Sequence, residues 1–355
     1  MSTSARGFAS DNEAGVHPAV LDAVAAANHG HAHSYGADEH TARLGELVHD
    51  HFGPEATAFP VLIGTGANVV ALQALCQRWE AVICTDHAHV HVDEGGAPEH
   101  IGGLKLWTVP TTDGKLTPAL LDTEAWGFGT VHRAQPGAVS VTQSTELGTV
   151  YTADELGTLC DHAHGLGLRV HLDGARLANA AAHLDVPLRA LTTDVGVDVV
   201  SFGGTKNGAL LAEAVVVLDP GLVDAVAYLR KTSMQLASKQ RFLSAQLVAL
   251  LDDELWRVNA SHANAMAARL AAGAAAVPVV RLTQPTQANA VFAVLPAGAA
   301  DRLRRRHHFY DWDRDAGEVR WMCAWDTTAA DVDTFVADLA AAVTGGAVTG
   351  GAGGA

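Results

Sequence analysis

Apolar residues recur at helical spacing over residues 18–28, after an arm of turn formers that ends near Ala14. A second helix is predicted from Thr41, where Asp38 and Glu39 supply capping chemistry. It runs through Leu44, Leu47, Val48 and His51 until Gly53-Pro54 stops it. From there short apolar runs alternate with helical stretches. Residues 58–63, 81–84, 104–109, 138–142, 168–173, 197–202 and 214–218 read as strands, with a helix over 69–78 among the segments between them. This alternation predicts an α/β fold with a large, mostly parallel sheet covered on both faces.

Beyond Pro220 the pattern turns to longer helices over residues 221–229, 239–251 and 261–276. A small sheet follows (279–282, 290–295, 319–324), closed by an amphipathic helix over 330–343. The expected organisation is therefore an arm (1–14), a large α/β domain (15–250), a small C-terminal α+β domain (251–343) and a disordered Gly/Ala tail (344–355).

Composition narrows the function classes. Among 355 residues, 23 Lys+Arg against 39 Asp+Glu leave a net charge of −16, a field that repels nucleic acid and anionic membranes. Four scattered cysteines suggest neither a zinc ribbon nor a disulfide framework. No apolar run is long enough for a membrane span and the first ten residues lack a signal core, so a cytoplasmic protein is expected. Only five residues are lysines (Lys105, Lys115, Lys206, Lys231, Lys239), whereas 19 are histidines.

Three motifs carry candidate chemistry. The strand over 168–173 ends in His171-Leu172-Asp173-Gly174-Ala175-Arg176, which places a carboxylate at the carboxyl edge of the sheet, where ligands bind in such folds. Helix capping by Asp173 is the plain alternative. The strand over 197–202 leads through Gly203-Gly204-Thr205 into Lys206, a position where desolvation can make a lysine an amine nucleophile. An ordinary exposed turn lysine is its alternative, and P-loop spacing is absent. Ile63-Gly64-Thr65-Gly66-Ala67-Asn68 opens a helix and can cradle an anion with backbone N–H groups. An anion seat, a strand-end acid and a strand-end lysine together are what pyridoxal 5′-phosphate needs: a phosphate site, a partner for the ring nitrogen and a Schiff-base amine. The triplets His29/His31/His33 and His87/His89/His91 have spacing that suits zinc or nickel on extended backbone, but no Cys or Glu completes a ligand set. No metal site is assigned, and a histidine of the second triplet can instead stack on a cofactor ring.

Over nearly its whole length the chain resembles the low-specificity L-threonine aldolases, pyridoxal-phosphate enzymes of the aspartate-aminotransferase-like fold (fold type I). Phe8-Ala9-Ser10-Asp11-Asn12, residues 34–41, 64–68, His89 with Glu94-Gly95-Gly96, 143–151, 171–176, 202–208 and 320–326 carry the resemblance. It implies that Lys206 forms the Schiff base, Asp173 pairs with the ring nitrogen, His89 stacks over the ring, and Gly64 and Thr65 hold the phosphate. Arg176 joins this cofactor set and also, with Ser10 and Arg320, binds the substrate carboxylate. The implied reaction is reversible cleavage of L-threonine, L-allo-threonine and related β-hydroxy-α-amino acids to glycine and an aldehyde. Many relatives have a histidine in an Asn-Thr-His stretch where Gln143-Ser144-Thr145 stands here, which leaves the base open among His89, a water and another histidine such as His33. The resemblance also implies a homodimer or homotetramer with active sites at the interface. Tyr35 and Lys231 or Lys239 then reach a neighbour's site, with Arg230 a further candidate. Two other readings stay open: another lyase on the same fold, acting on phenylserine or eliminating a β-substituent, and a non-catalytic histidine-rich metal-binding protein.

Overall fold

The computed structural model describes residues 6–345. Seven strands form the large sheet: β1 (Thr57–Val61), β2 (Glu80–Thr85), β3 (Lys105–Val109), β4 (Gln135–Thr142), β5 (Arg169–Gly174), β6 (Val199–Gly203) and β7 (Glu213–Val217). Their order is β1-β7-β6-β5-β4-β2-β3, and only β7 runs against its neighbours, so the expected mostly parallel sheet is observed. Alternate residues feed separate cores on its two faces. Ile83, Val139, Val170, Leu172 and Val200 pack on one, and Val82, Cys84, Ala138, Val199 and Val215 on the other.

The C-terminal sheet has four antiparallel strands in the order β10-β11-β9-β8: β8 (Arg281–Leu282), β9 (Ala290–Val294), β10 (Tyr310–Asp313) and β11 (Glu318–Met322). The strand expected over 279–282 shrinks to two residues because Val279 has φ +70°, outside strand geometry. β10 went unread in the sequence: it is an exposed edge strand, Tyr-Asp-Trp-Asp, without an apolar run. The helix expected over 261–276 begins at Leu255 and ends at Ala275. Its first half gives Trp256 and Ala260 to the large core and its second half gives Ala267, Leu270 and Ala274 to the small one. The arm also joins the small core, with Phe8 packed against Phe335 at 4.6 Å between ring centroids. The predicted tail lies, beyond residue 345, outside the described residues.

Candidate active site

The carboxyl ends of β2, β4, β5 and β6 bring the predicted residues to one edge. β6 is buried throughout and ends in a glycine pair for which the structure gives a reason. A Cβ on Gly203 would lie 2.6 Å from the Ala175 carbonyl oxygen, and one on Gly204 would lie 2.5 Å from that of Ala212. Only glycine lets the turn after β6 nest this closely. The next residues, Thr205–Asn207, form a single 3-10 turn that carries Lys206. Glu213 on β7 holds this turn by accepting the N–H groups of Gly204 (3.1 Å) and Thr205 (3.3 Å). Lys206 makes no side-chain hydrogen bond among the described residues. Burial lowers its pKa and Arg176 adds to the effect, while Asp11, Asp173 and Glu213 oppose it. A larger neutral amine fraction follows, which is what a nucleophilic lysine needs.

Asp173 is the penultimate residue of β5, and its charge is felt at Lys206. Its Oδ1 accepts the Ala175 N–H (3.0 Å) and its Oδ2 accepts Asn68 Nδ2 (2.8 Å). The same Asn68 nitrogen donates to Glu94 Oε1 (2.7 Å), and that oxygen lies 2.8 Å from His89 Nδ1. A buried chain therefore joins Asp173 to His89. The backbone N–H of His89 is accepted by Glu146 Oε1 (2.8 Å), which also takes the Thr142 hydroxyl. Burial pushes the Glu146 carboxyl up, against those two hydrogen bonds. Beneath Asp173 on the same face of β5, His171 is wholly buried between Ser140 and Ser201, 2.9 Å from each hydroxyl, and burial lowers its pKa to about 4.

The anion seat is a helix start. The expected helix over 69–78 runs instead over Gly64–Leu75, so Gly64, Thr65 and Gly66 form its first turn, with their N–H groups free of intrahelical partners. Asn68 is buried one turn further along the same helix.

The third group comes from three distant parts of the chain. Arg176 gives Nε to Asp11 Oδ2 (2.7 Å) and Nη2 to Asp11 Oδ1 (2.9 Å), and Asn289 Nδ2 also donates to Asp11 Oδ2 (3.0 Å). Burial alone would raise the Asp11 carboxyl, but Arg176, Lys206 and Asn289 prevail and hold it at about 2. Nη2 also approaches Met322 Sδ (3.5 Å), so three of the five Arg176 N–H groups are committed and Nη1 keeps its two hydrogens for a ligand. Arg320 on β11 approaches the Ala9 carbonyl, next to Ser10, while its Nε is buried without a partner. Burial, with Arg176 nearby, lowers its pKa to about 10. Ser10 Oγ caps a short turn by accepting the Asn12 N–H.

Other expected residues stand elsewhere. Lys231 lies over the ring of exposed Tyr35 at 5.3 Å, and Lys239 lines a cavity of about 370 Å³ with His31, His33 and Arg241. Arg230 is buried, donating Nη1 to the Pro60 carbonyl and Gln240 Oε1, while its Nε has no partner. Thr145 is bound to Thr149 in a turn. His89 and His91 sit in a helical turn (His89–Val92), not on extended backbone, and among the described residues no group of three His, Cys, Asp or Glu is placed to hold a metal. Asp11, Asn68, Glu94, Glu146 and Glu213 had no assigned role from sequence. The first four lie inside the motif stretches, which was their only signal.

The chain is similar to known proteins over most of its length. The family model for beta-eliminating lyases matches residues 7–296. A low specificity L-threonine aldolase from a Pseudomonas species is 41% identical over 342 residues, covering 96% of this chain and 99% of that one. Another from Pseudomonas aeruginosa is 43% identical over 334 residues, covering 94% and 96%. Among solved structures, a Leishmania major threonine aldolase superposes with a TM-score of 0.88 at 31% identity, covering 94% of this chain and 98% of that one.

Proposed function

Because the chain belongs to the beta-eliminating lyase family, we propose that it is a pyridoxal-phosphate-dependent L-threonine aldolase of low specificity. It would cleave L-threonine, L-allo-threonine and related β-hydroxy-α-amino acids to glycine and an aldehyde, reversibly. The observation that carries the reading is the placement of Lys206, unbonded and with a lowered pKa, beside an Asp173 carboxylate held by two donors.

The residues present fit that cofactor. Buried Asn68 Oδ1, Glu94 Oε2, Ser144 Oγ and Arg320 Nε all lack partners, so this edge of the sheet holds polar capacity that the protein alone does not use. Lys206 would hold the aldehyde carbon, Asp173 the ring nitrogen, His89 one ring face, and the N–H groups of residues 64–66 the phosphate. When bound, the cofactor supplies an electron sink for the pair released at Cα. Arg320, Ser10 and the free nitrogen of Arg176 orient the substrate carboxylate. That anchor decides which bond to Cα lies across the ring plane, and so directs cleavage to Cα–Cβ. Purified protein given pyridoxal phosphate and L-allo-threonine should release acetaldehyde and glycine. 2-Oxobutanoate and ammonia would instead identify a β-eliminating lyase.

The proposal extends to a homo-oligomer. Ile63, Leu210, Leu211, Tyr228 and Met234 are large, apolar and exposed, and Tyr35, Lys231 and Lys239 would reach a neighbour's phosphate site from such a contact. A dimer or tetramer by light scattering is expected. A cytoplasmic location goes with four free thiols and with the absence, among the described residues, of any helix long and apolar enough to cross a membrane.

A further inference from the structure

Lys206 keeps its side chain unbonded while the backbone on both sides of it is tied down. After it, Asn207 donates Nδ2 to the Trp256 carbonyl (3.0 Å) and its own carbonyl accepts Asn259 Nδ2 (2.8 Å). The Gly208 carbonyl accepts the His17 N–H (2.9 Å), and Gln246 Oε1 accepts the N–H groups of Leu210 (2.9 Å) and Leu211 (3.1 Å) on the way to β7. Before it, the holding group is a carboxylate. We infer that Glu213 is a positioning residue for the cofactor: it fixes the turn that presents Lys206 and supplies a negative charge that keeps the Schiff-base nitrogen protonated. The inference rests on the pyridoxal-phosphate reading above.

The register of the sheet places this carboxylate. β7 lies between β6 and β1, and Glu213 at its head is paired with Gly203 on one side and Val61 on the other. The strand is Glu-Ala-Val-Val-Val, buried throughout, so packing by itself favours another apolar residue at that position. A buried carboxylate is costly unless hydrogen bonds repay its lost hydration. Here Oε2 accepts the Gly204 N–H (3.1 Å), Oε1 accepts the Thr205 N–H (3.3 Å), and the Thr205 hydroxyl reaches the same group. Each oxygen takes its own N–H, which is the pattern of an ionised carboxylate, since the hydroxyl oxygen of a neutral acid is the poorer acceptor. Both oxygens are committed to the two residues that precede Lys206, so Glu213 acts through the turn and by its charge, without touching substrate.

The charged groups that influence Lys206 are Asp11 on the arm, Asp173 on β5, Arg176 just after β5, and Glu213 on β7. Arg176 opposes a positive charge on the lysine nitrogen and the three acids favour it. Asp11 is already paired with Arg176, and Asp173 is assigned to the ring nitrogen. Glu213 has no cation beside it other than Lys206 among the described residues, so its charge remains available to that nitrogen. A protonated Schiff base is the form whose carbon an incoming amino group attacks most readily, and an opposite charge nearby favours it.

Glu213→Gln keeps the shape of the side chain and removes the charge. In the holoenzyme without substrate, the visible absorbance of the protonated Schiff base should titrate with a midpoint lower than that of the wild type by about 1 pH unit or more. Glu213→Asp keeps the charge one methylene farther off, and its midpoint should fall between the two. Thermal unfolding of the same samples separates the two duties of the residue. A carboxylate that only braced the turn would lower the melting temperature of Glu213→Gln and leave the titration where it is in the wild type, and that result would overturn the inference. Should Glu213→Gln not fold, a wild-type midpoint in Glu213→Asp would overturn it equally. A wild-type protein that forms no borohydride-reducible adduct with pyridoxal phosphate would overturn the cofactor reading instead.

Discussion

Asp11 closes on the Arg176 guanidinium through two charge-assisted hydrogen bonds of 2.7 and 2.9 Å, although the two residues stand 165 positions apart. Asp11 is buried and the Arg176 side chain is 17% exposed, so the pair's worth shows when one member is removed. Asp11→Asn should destabilise the fold by about 3 kcal/mol in urea unfolding, because it strands a largely buried guanidinium. It should also raise KM for the amino acid, since Arg176 loses the partner that aims it.

Acid should weaken the protein in two stages. His171 stays neutral in the fold down to about pH 4, whereas the unfolded chain protonates it near 6.5. The unfolded state therefore binds more protons between those values, and stability falls as pH drops through that window, by about 3 kcal/mol in all. Asp11, held at about 2, adds a further loss of about 2 kcal/mol below pH 4. Urea midpoints at pH 7, 5, 4 and 3 test this, and His171→Asn should flatten the first stage.

Lys206→Ala should leave no borohydride-reducible pyridoxal adduct, while cofactor still binds through its phosphate and ring. Mass spectrometry after reduction reads the outcome directly, and a persisting adduct would reassign the lysine.

Asp173→Asn loses a charge-assisted bond of about 1.5–3 kcal/mol, which corresponds to roughly a 10- to 150-fold drop in kcat. Near-normal turnover would remove Asp173 from its role.

Gly66→Ala tests the anion seat. Its Cβ would fall 2.3 Å from Gln235 Cδ, and the Gln235 oxygen accepts the Leu62 N–H just before the helix. Relief of the clash shifts the first turn, at about 1–3 kcal/mol. A rise of roughly tenfold or more in the cofactor dissociation constant, by fluorescence titration, is expected.

What the sequence made legible was what a single segment can carry. β5 and β6 announced themselves as apolar runs, and Lys206 stood out because it alone of the lysines leaves such a run through glycines. Partnerships across the fold were not legible. Arg176 reads as a free ligand until Asp11 is seen on it, and Glu94 reads as a loop acid until Asn68 and His89 share its oxygen. The helix start at Gly64 was hidden because two glycines weaken local helix propensity, which burial of Ala67, Asn68, Val69 and Val70 overrides.

Asn289 donates to Asp11 across 278 positions of chain. During synthesis the lysine, the ring-nitrogen acid and the phosphate turn all leave the ribosome long before the residue that completes the Asp11 and Arg176 cluster. A nascent chain halted ahead of Asn289 contains every residue assigned to grip the cofactor, yet the substrate's carboxylate anchor is still unfinished. Cofactor capture and substrate selection are thereby separated in the order in which the chain is made.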